Sequence, residues 1–163
     1  MGKLNHFTDT GRARMVDVMD KPSTERVAVA SGILRMQPAT LERIRSGNIA
    51  KGDVLTVADV GAVMAAKHTA DIIPMCHTLA LGGVEVAFSD VAVPDVHGCV
   101  GIKVMTTTRC AGQTGVEMEA LCAASVALLT IYDMCKAIDR GMCIENIQLE
   151  EKRGGKSGTW LRP

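Results

Sequence analysis

The stretch from Thr114 to Gly141, TGVEMEALCAASVALLTIYDMCKAIDRG, limits the folds open to this chain more than any other. Thr114 followed three residues later by Glu117 spells a capping box, which predicts a helix start there. Gly141 stands where a left-handed cap would end it. Roughly 25 residues lie between those signals, about 37 Å of helix. Its middle, Ala120 to Tyr132, is uncharged and nearly without a polar stripe. A helix apolar on almost every side is expected to be buried. Four charged residues flank that middle: Glu117, Glu119, Asp133 and Lys136.

Asp133 and Lys136 are one helical turn apart on a shared face. Two readings stay open. The pair is a solvated ion pair where the helix leaves the core, or an acid and an ammonium at a pocket's edge. In the second case, desolvation would lower the lysine's pKa while the carboxylate would raise it. Glu119 and Asp133 lie fourteen positions apart, so they point to nearly one side but stand about 21 Å apart along the axis. They cannot line one small pocket within a single chain.

At 163 residues the chain is read as one domain, 1–163, with about 1–13 and 152–163 expected to be mobile. Eighteen basic and eighteen acidic residues cancel, which gives no global field for nucleic acid or a membrane surface. Phe7, Phe88, Tyr132 and Trp160 are too few for a base-stacking platform. The first residues show no apolar signal region. His6 breaks the myristoylation pattern that Gly2 would begin. The longest uncharged run, thirteen residues inside the long helix, is too short to cross a bilayer. Six cysteines without a C-x-x-C pair argue against a zinc cluster and for reduced, mostly buried thiols in the cytoplasm.

Alternation and turn signals predict strands at Arg14–Val18, Arg26–Met36, Val84–Val93, Cys99–Thr108 and Ile144–Leu149. Pro38 opens a short helix through Arg45, closed by Gly47. Asp53 is expected to cap a helix to about Ala70, with Val54, Val57, Val60 or Gly61, and Met64 along its buried face. Paired strands with interposed helices predict an α+β fold, a mostly antiparallel sheet with helices packed on one face.

Three loops carry possible chemistry. Lys51 sits beside a helix N-terminus, where phosphate is favoured, although such lysines are common on surfaces. Cys76 and His77 are adjacent and therefore point apart, so a hydrogen-bonding His beside a buried Cys outweighs a nucleophile–base pair. GGKSG, 154–158, lacks the earlier glycine of a phosphate loop, because position 150 is Glu. A basic flap over an anion and a frayed end both remain open for it.

TGVEMEALCAASVALLTIYDMCKA (114–137), KGDV (51–54), AAKHT (65–69), IPMCH (73–77), GGKSG and MVDV (15–18) together resemble the MoaC family of molybdenum-cofactor biosynthesis. The resemblance runs along essentially the whole chain. Met75, Thr78 and Gln113 depart from the family's usual leucine, proline and lysine. The resemblance implies a ferredoxin-like domain, assembled as a hexamer of three dimers with the site at a dimer interface. It implies a lyase, cyclic pyranopterin monophosphate synthase. That enzyme converts 3′,8-cyclo-7,8-dihydro-GTP, made by a radical-SAM GTP cyclase, into cyclic pyranopterin monophosphate and pyrophosphate. Asp133 and Lys136 match the family's catalytic pair. Met75, Cys76, His77, Met118, Glu119 and Lys51 match its substrate-binding segments. Lys67 and Lys156 join Lys51 as candidates for the triphosphate, and Glu117 is counted with the substrate-binding residues. Such proton-transfer chemistry needs no resident metal or cofactor, though Mg2+ can accompany a triphosphate. With Glu119 and Asp133 so far apart, one chain's Asp133 and Lys136 are expected to meet Glu119 or Lys51 of another. A non-catalytic nucleotide- or pterin-binding oligomeric regulator is the alternative from another class. A plain oligomerisation domain, with Lys51, His77 and Glu119 scattered, is the other.

Overall fold

The computed structural model describes residues 7, 8 and 10–163. The calls on Gly2, His6 and most of the expected mobile start lie outside the described residues. The elements run β1 (Thr24–Met36), α1 (Pro38–Arg45), α2 (Val54–Lys67), α3 (Thr69–Ile72), β2 (Leu81–Val91), β3 (Val100–Gly112), α4 (Glu117–Cys135), β4 (Cys143–Arg153) and β5 (Trp160–Leu161). The strands form one antiparallel sheet in the order β2-β3-β1-β4-β5. The architecture is α+β and ferredoxin-like.

The long apolar helix organises the packing. α4 lies across β1, β3 and β4, and α2 lies beside it toward β2. Ala120, Ala123, Ala124, Ala127, Leu128 and Ile131 are fully buried, a stripe at helical spacing that meets Leu34, Ile102 and Val104 of the sheet. Small residues let the layers approach closely. A Cβ on Gly32 would fall 2.7 Å from Leu128, and one on Gly61 would fall 2.8 Å from the Thr130 hydroxyl. Thr106 and Thr108, buried on β3, donate to the carbonyls of Ala120 at 2.8 Å and Val116 at 3.0 Å. These two bonds fix the first turn of α4 to the sheet.

They also account for a correction. The helix starts at Glu117, with Val116 as an N-cap that makes no side-chain bond. Thr114 is not the cap, because Thr108 already holds the Val116 carbonyl at the sheet. The helix ends at Cys135 rather than near Gly141. Ile138 and Asp139 turn their N–H groups back to the Cys135 carbonyl. Its 19 residues span about 28 Å. By length and composition α4 is apolar enough to cross a membrane, but half of that window is buried among the sheet and α2.

Asp53 caps α2 as expected, accepting from Leu55 and Thr56 N–H. The buried face of α2 keeps Val54, as expected, but otherwise differs from the expected one. Ala58, Ala62, Ala65 and Ala66 face inward, while Val57, Val60 and Met64 face out, as does Leu129 on α4. The close α2–α4 approach admits only small side chains. Arg14–Val18 forms no strand. The His77 ring holds the Val16 carbonyl at 2.9 Å, and Gln113 holds the Met19 carbonyl at 3.0 Å, so side chains take the places of ladder partners. At the other end the expected tail is folded: 152–153 complete β4 and Trp160–Leu161 pair with Glu151 and Lys152.

Gly61→Val inserts bulk where α2 meets Thr130 and Val126. Urea unfolding is expected to show a loss of about 1–3 kcal/mol; a midpoint equal to the parent's would mean that the α2–α4 contact is loose.

Candidate functional site

Two groups of polar residues occupy opposite ends of α4. At the C-terminal end, Lys136 Nζ donates to Asp133 Oδ1 at 2.6 Å and Lys51 Nζ donates to Asp133 Oδ2 at 3.0 Å. Lys51 also donates to the Asp133 backbone carbonyl at 2.8 Å, one of the unpaired carbonyls of the last helical turn. Lys51 reaches there because the 48–52 loop is held at both ends. Asn48 N–H bonds the Arg43 carbonyl of α1, Gly52 N–H bonds the Ile49 carbonyl, and Asp53 then starts α2. The sequence expectation that Lys51 meets Asp133 across a subunit boundary is thus corrected: the three residues meet within one chain.

Each side chain of the trio is about half exposed. The hydrogen bond from Lys136, and then that from Lys51, hold the Asp133 carboxyl at about 2. Asp133 in turn pushes the Lys136 ammonium above its ordinary value. Of the two opposing effects on Lys136, the carboxylate prevails, because an exposed ammonium suffers little desolvation. Lys136 therefore rests as a proton donor. The ion pairs are intact above the ordinary carboxylate pKa and are lost as pH falls through about 2.

At the N-terminal end of α4, a cleft of about 810 Å³ lies between the start of β1, the 113–117 segment and the glycine-rich turn after β4. Lys21, Arg26, Lys152, Arg153 and Lys156 line it, against a single carboxylate among the described residues, Glu117. Its walls are built. Arg26 Nε donates to the Gly112 carbonyl at 3.1 Å, and Lys152 Nζ donates to the Gly154 carbonyl at 3.1 Å and to the Ser157 hydroxyl. A Cβ on Gly155, whose φ is +72°, would fall 1.5 Å from the Arg26 guanidinium. GGKSG is therefore neither a frayed end nor a phosphate loop. It is a fixed turn that carries Lys156 into a basic cleft.

Beside that cleft Glu119 is 3% exposed, and its Oε2 has no hydrogen-bond partner among the described residues. Burial, and then the charge of Glu117, push its carboxyl up. Burial raises the Cys76 thiol as well, assisted by Glu119. His77 donates from Nε2 to Val16, since a carbonyl only accepts, which leaves Nδ1 to accept. Met75 and Met118 are half-buried nearby in sequence, and Lys67 is exposed in the last turn of α2. Lys51, Lys67 and Lys156 do not converge in one chain. Among the described residues no three of His, Cys, Asp and Glu are arranged to hold a metal ion. Arg26, Lys21 and Lys152 were missed at the sequence level. The only signal was the run of basic residues flanking GGKSG, because Arg26 reads as an ordinary strand residue.

The arrangement defines an α+β protein with a lysine–carboxylate trio at one end of its central helix and a separate basic cleft at the other. The MoaC family model matches residues 15–155. The cyclic pyranopterin monophosphate synthase of Novosphingobium aromaticivorans is 58% identical over 160 residues, covering 98% of each chain. That of Desulfitobacterium hafniense is 58% identical over 160 residues, 98% of this chain and 94% of its own. That of Thermomicrobium roseum is 54% identical over 162 residues, 99% and 95% respectively. This chain belongs to the MoaC family.

Because Glu119 is raised in the fold, its contribution to stability is most favourable at low pH and weakens as pH rises through its folded pKa. Glu119→Gln is expected to raise the urea midpoint at about pH 8 and to leave it unchanged at about pH 4. A variant less stable at the higher pH would show that the charged carboxylate is paired.

Proposed function

We propose that the chain is a cyclic pyranopterin monophosphate synthase that acts in molybdenum cofactor biosynthesis. It takes 3′,8-cyclo-7,8-dihydro-GTP to cyclic pyranopterin monophosphate and pyrophosphate, as a lyase working by acid–base steps. The observation that carries this is the Lys51–Asp133–Lys136 trio, which lies within the residues that the family model matches. Ring opening, ring closure and cyclisation of a phosphate demand repeated proton transfers, and a lysine next to a carboxylate supplies them. Lys136, resting protonated, is the first acid. Asp133 orients it and stabilises the cation. Lys51 holds the second carboxylate oxygen and the helix end. The cleft with Arg26, Lys152 and Lys156 suits the triphosphate, and the unpaired Glu119 oxygen suits a ring N–H.

The proposal includes no resident cofactor, and Mg2+ enters only as a companion of the triphosphate. It places the work in the cytoplasm, downstream of a radical-SAM GTP cyclase; six free thiols suit a reducing compartment. It also includes a hexamer of three dimers with the site at a dimer interface. The trio and Glu119 sit about 21 Å apart along α4, and apolar Val57, Val60, Met64 and Leu129 lie exposed, both of which favour assembly.

Purified protein incubated with the cyclic GTP derivative is expected to release pyrophosphate and form the pyranopterin. Lys136→Ala is expected to lower turnover by about 10²–10⁴-fold with an unchanged unfolding midpoint. Binding without any product would favour the regulator instead. Mixed refolding tests the shared site. Lys136→Ala with Glu119→Gln should recover part of the activity, since one site per mixed dimer carries neither change. Lys136→Ala with Lys51→Ala should recover none. The reverse pattern would place Lys51 across the boundary and Glu119 within it.

A further inference from the structure

Besides Glu119, one further buried carboxylate among the described residues belongs to neither the trio nor the cleft. Asp139 is 8% exposed. Its Oδ2 accepts from the Gln37 N–H at 2.9 Å and the Thr40 hydroxyl at 3.0 Å, and its Oδ1 accepts from the Gly141 N–H at 3.2 Å. Gln37 is the N-cap residue of α1 and makes no side-chain cap of its own. The cap of α1 is thus supplied from 102 residues away. A carboxylate there satisfies an N–H outside the helical ladder and complements the positive end of the helix.

What Asp139 joins are the two segments that carry the lysines. On one side, Lys136 N–H bonds the Tyr132 carbonyl, Asp139 N–H bonds the Cys135 carbonyl, and the Tyr132 hydroxyl donates to the Arg140 carbonyl. Residues 136–140 are therefore one pinned turn. On the other side, α1 is a rigid rod of eight residues whose last turn anchors the loop that carries Lys51. The start of α1 and the turn after α4 are hydrogen-bonded through the Asp139 side chain.

We propose that Asp139 is a positioning residue: by fastening the start of α1 to the turn after α4, it keeps Lys51 and Lys136 in register on the two oxygens of Asp133. It contacts neither lysine through a hydrogen bond and acts through the backbone segments it joins. The catalytic part of this statement rests on the proposed function of the trio; the geometric part does not.

Two measurements on the full-length protein test it: steady-state pyrophosphate release, and the titration of Lys136 followed by NMR with carbon-labelled lysine. Asp139→Ala is expected to lower kcat by about 10- to 100-fold, the scale of an ångström's misplacement. KM should stay within about twofold, because the substrate contacts are untouched. The Lys136 titration should move down toward that of a free lysine. Asp139→Asn keeps an oxygen for Gln37 and Thr40 and is expected to restore most of both. Thr40→Val removes one bond, with a smaller loss in the same direction that adds nothing to Asp139→Ala. An unchanged Lys136 titration in folded Asp139→Ala overturns the proposal, whether or not kcat falls. If that variant does not fold, an unchanged titration and kcat in Thr40→Val overturns it. A parent protein that releases no pyrophosphate would overturn the functional reading instead, while the titration still decides the positioning.

Discussion

The packing of α4 between the sheet and α2 is the constraint on which the rest of the structure depends. A helix buried along Ala120, Ala123, Ala124, Ala127 and Leu128 leaves chemistry only at its ends. The buried stripe is built of small residues, so the layers sit close and the helix cannot slide or roll without clashes at Gly32 and Gly61. Thr106 and Thr108 pin its first turn, and the turn gathered on Asp139 pins its last. The two polar groups are thereby held at a fixed separation, one with Lys51, Asp133 and Lys136 and the other with the cations that line the cleft.

Electrostatics divides the labour between them. Asp133 has two ammonium partners and is held ionised, so the trio carries one net positive charge and the carboxylate holds the proton on Lys136. Glu119 has the opposite environment, buried and short of a donor, and its carboxyl is pushed toward the neutral form. An unpaired buried oxygen is costly to leave without a donor. A ligand N–H or a group from a second chain is the natural remedy. A carboxylate kept charged and another pushed toward neutrality, on one helix, is the pattern expected where acid–base work and ring recognition are separate tasks.

Much of this was legible in the sequence. β1, the β2–β3 hairpin, α1 and the Asp53 cap followed from alternation, Pro38 and capping chemistry, all of them local signals. The pairing of Asp133 with Lys136 followed from helical spacing. What was not legible came from tertiary contacts. Arg14–Val18 alternates like a strand, but His77 takes the role of a ladder partner at Val16, and Gln113 does the same at Met19 just beyond it. Thr114 looks like a cap, but Thr108, six residues earlier in sequence on β3, sets the helix start. Val57, Val60 and Met64 are among the large apolar residues of α2, yet beyond Val54 the close approach to α4 selects the alanines for burial. Lys51 lies 82 positions from Asp133, and Arg26 lies 86 from Gly112, distances over which no sequence spacing speaks.

The central claim is that the Lys51–Asp133–Lys136 trio transfers protons while the basic cleft holds the anion. Isothermal titration of the cyclic GTP derivative into Lys136→Ala protein tests it most directly, because it separates binding from chemistry. The account predicts a Kd within about threefold of the parent's, with no pyrophosphate formed in the cell. Loss of binding in step with loss of turnover would contradict it and make the trio part of the anion site.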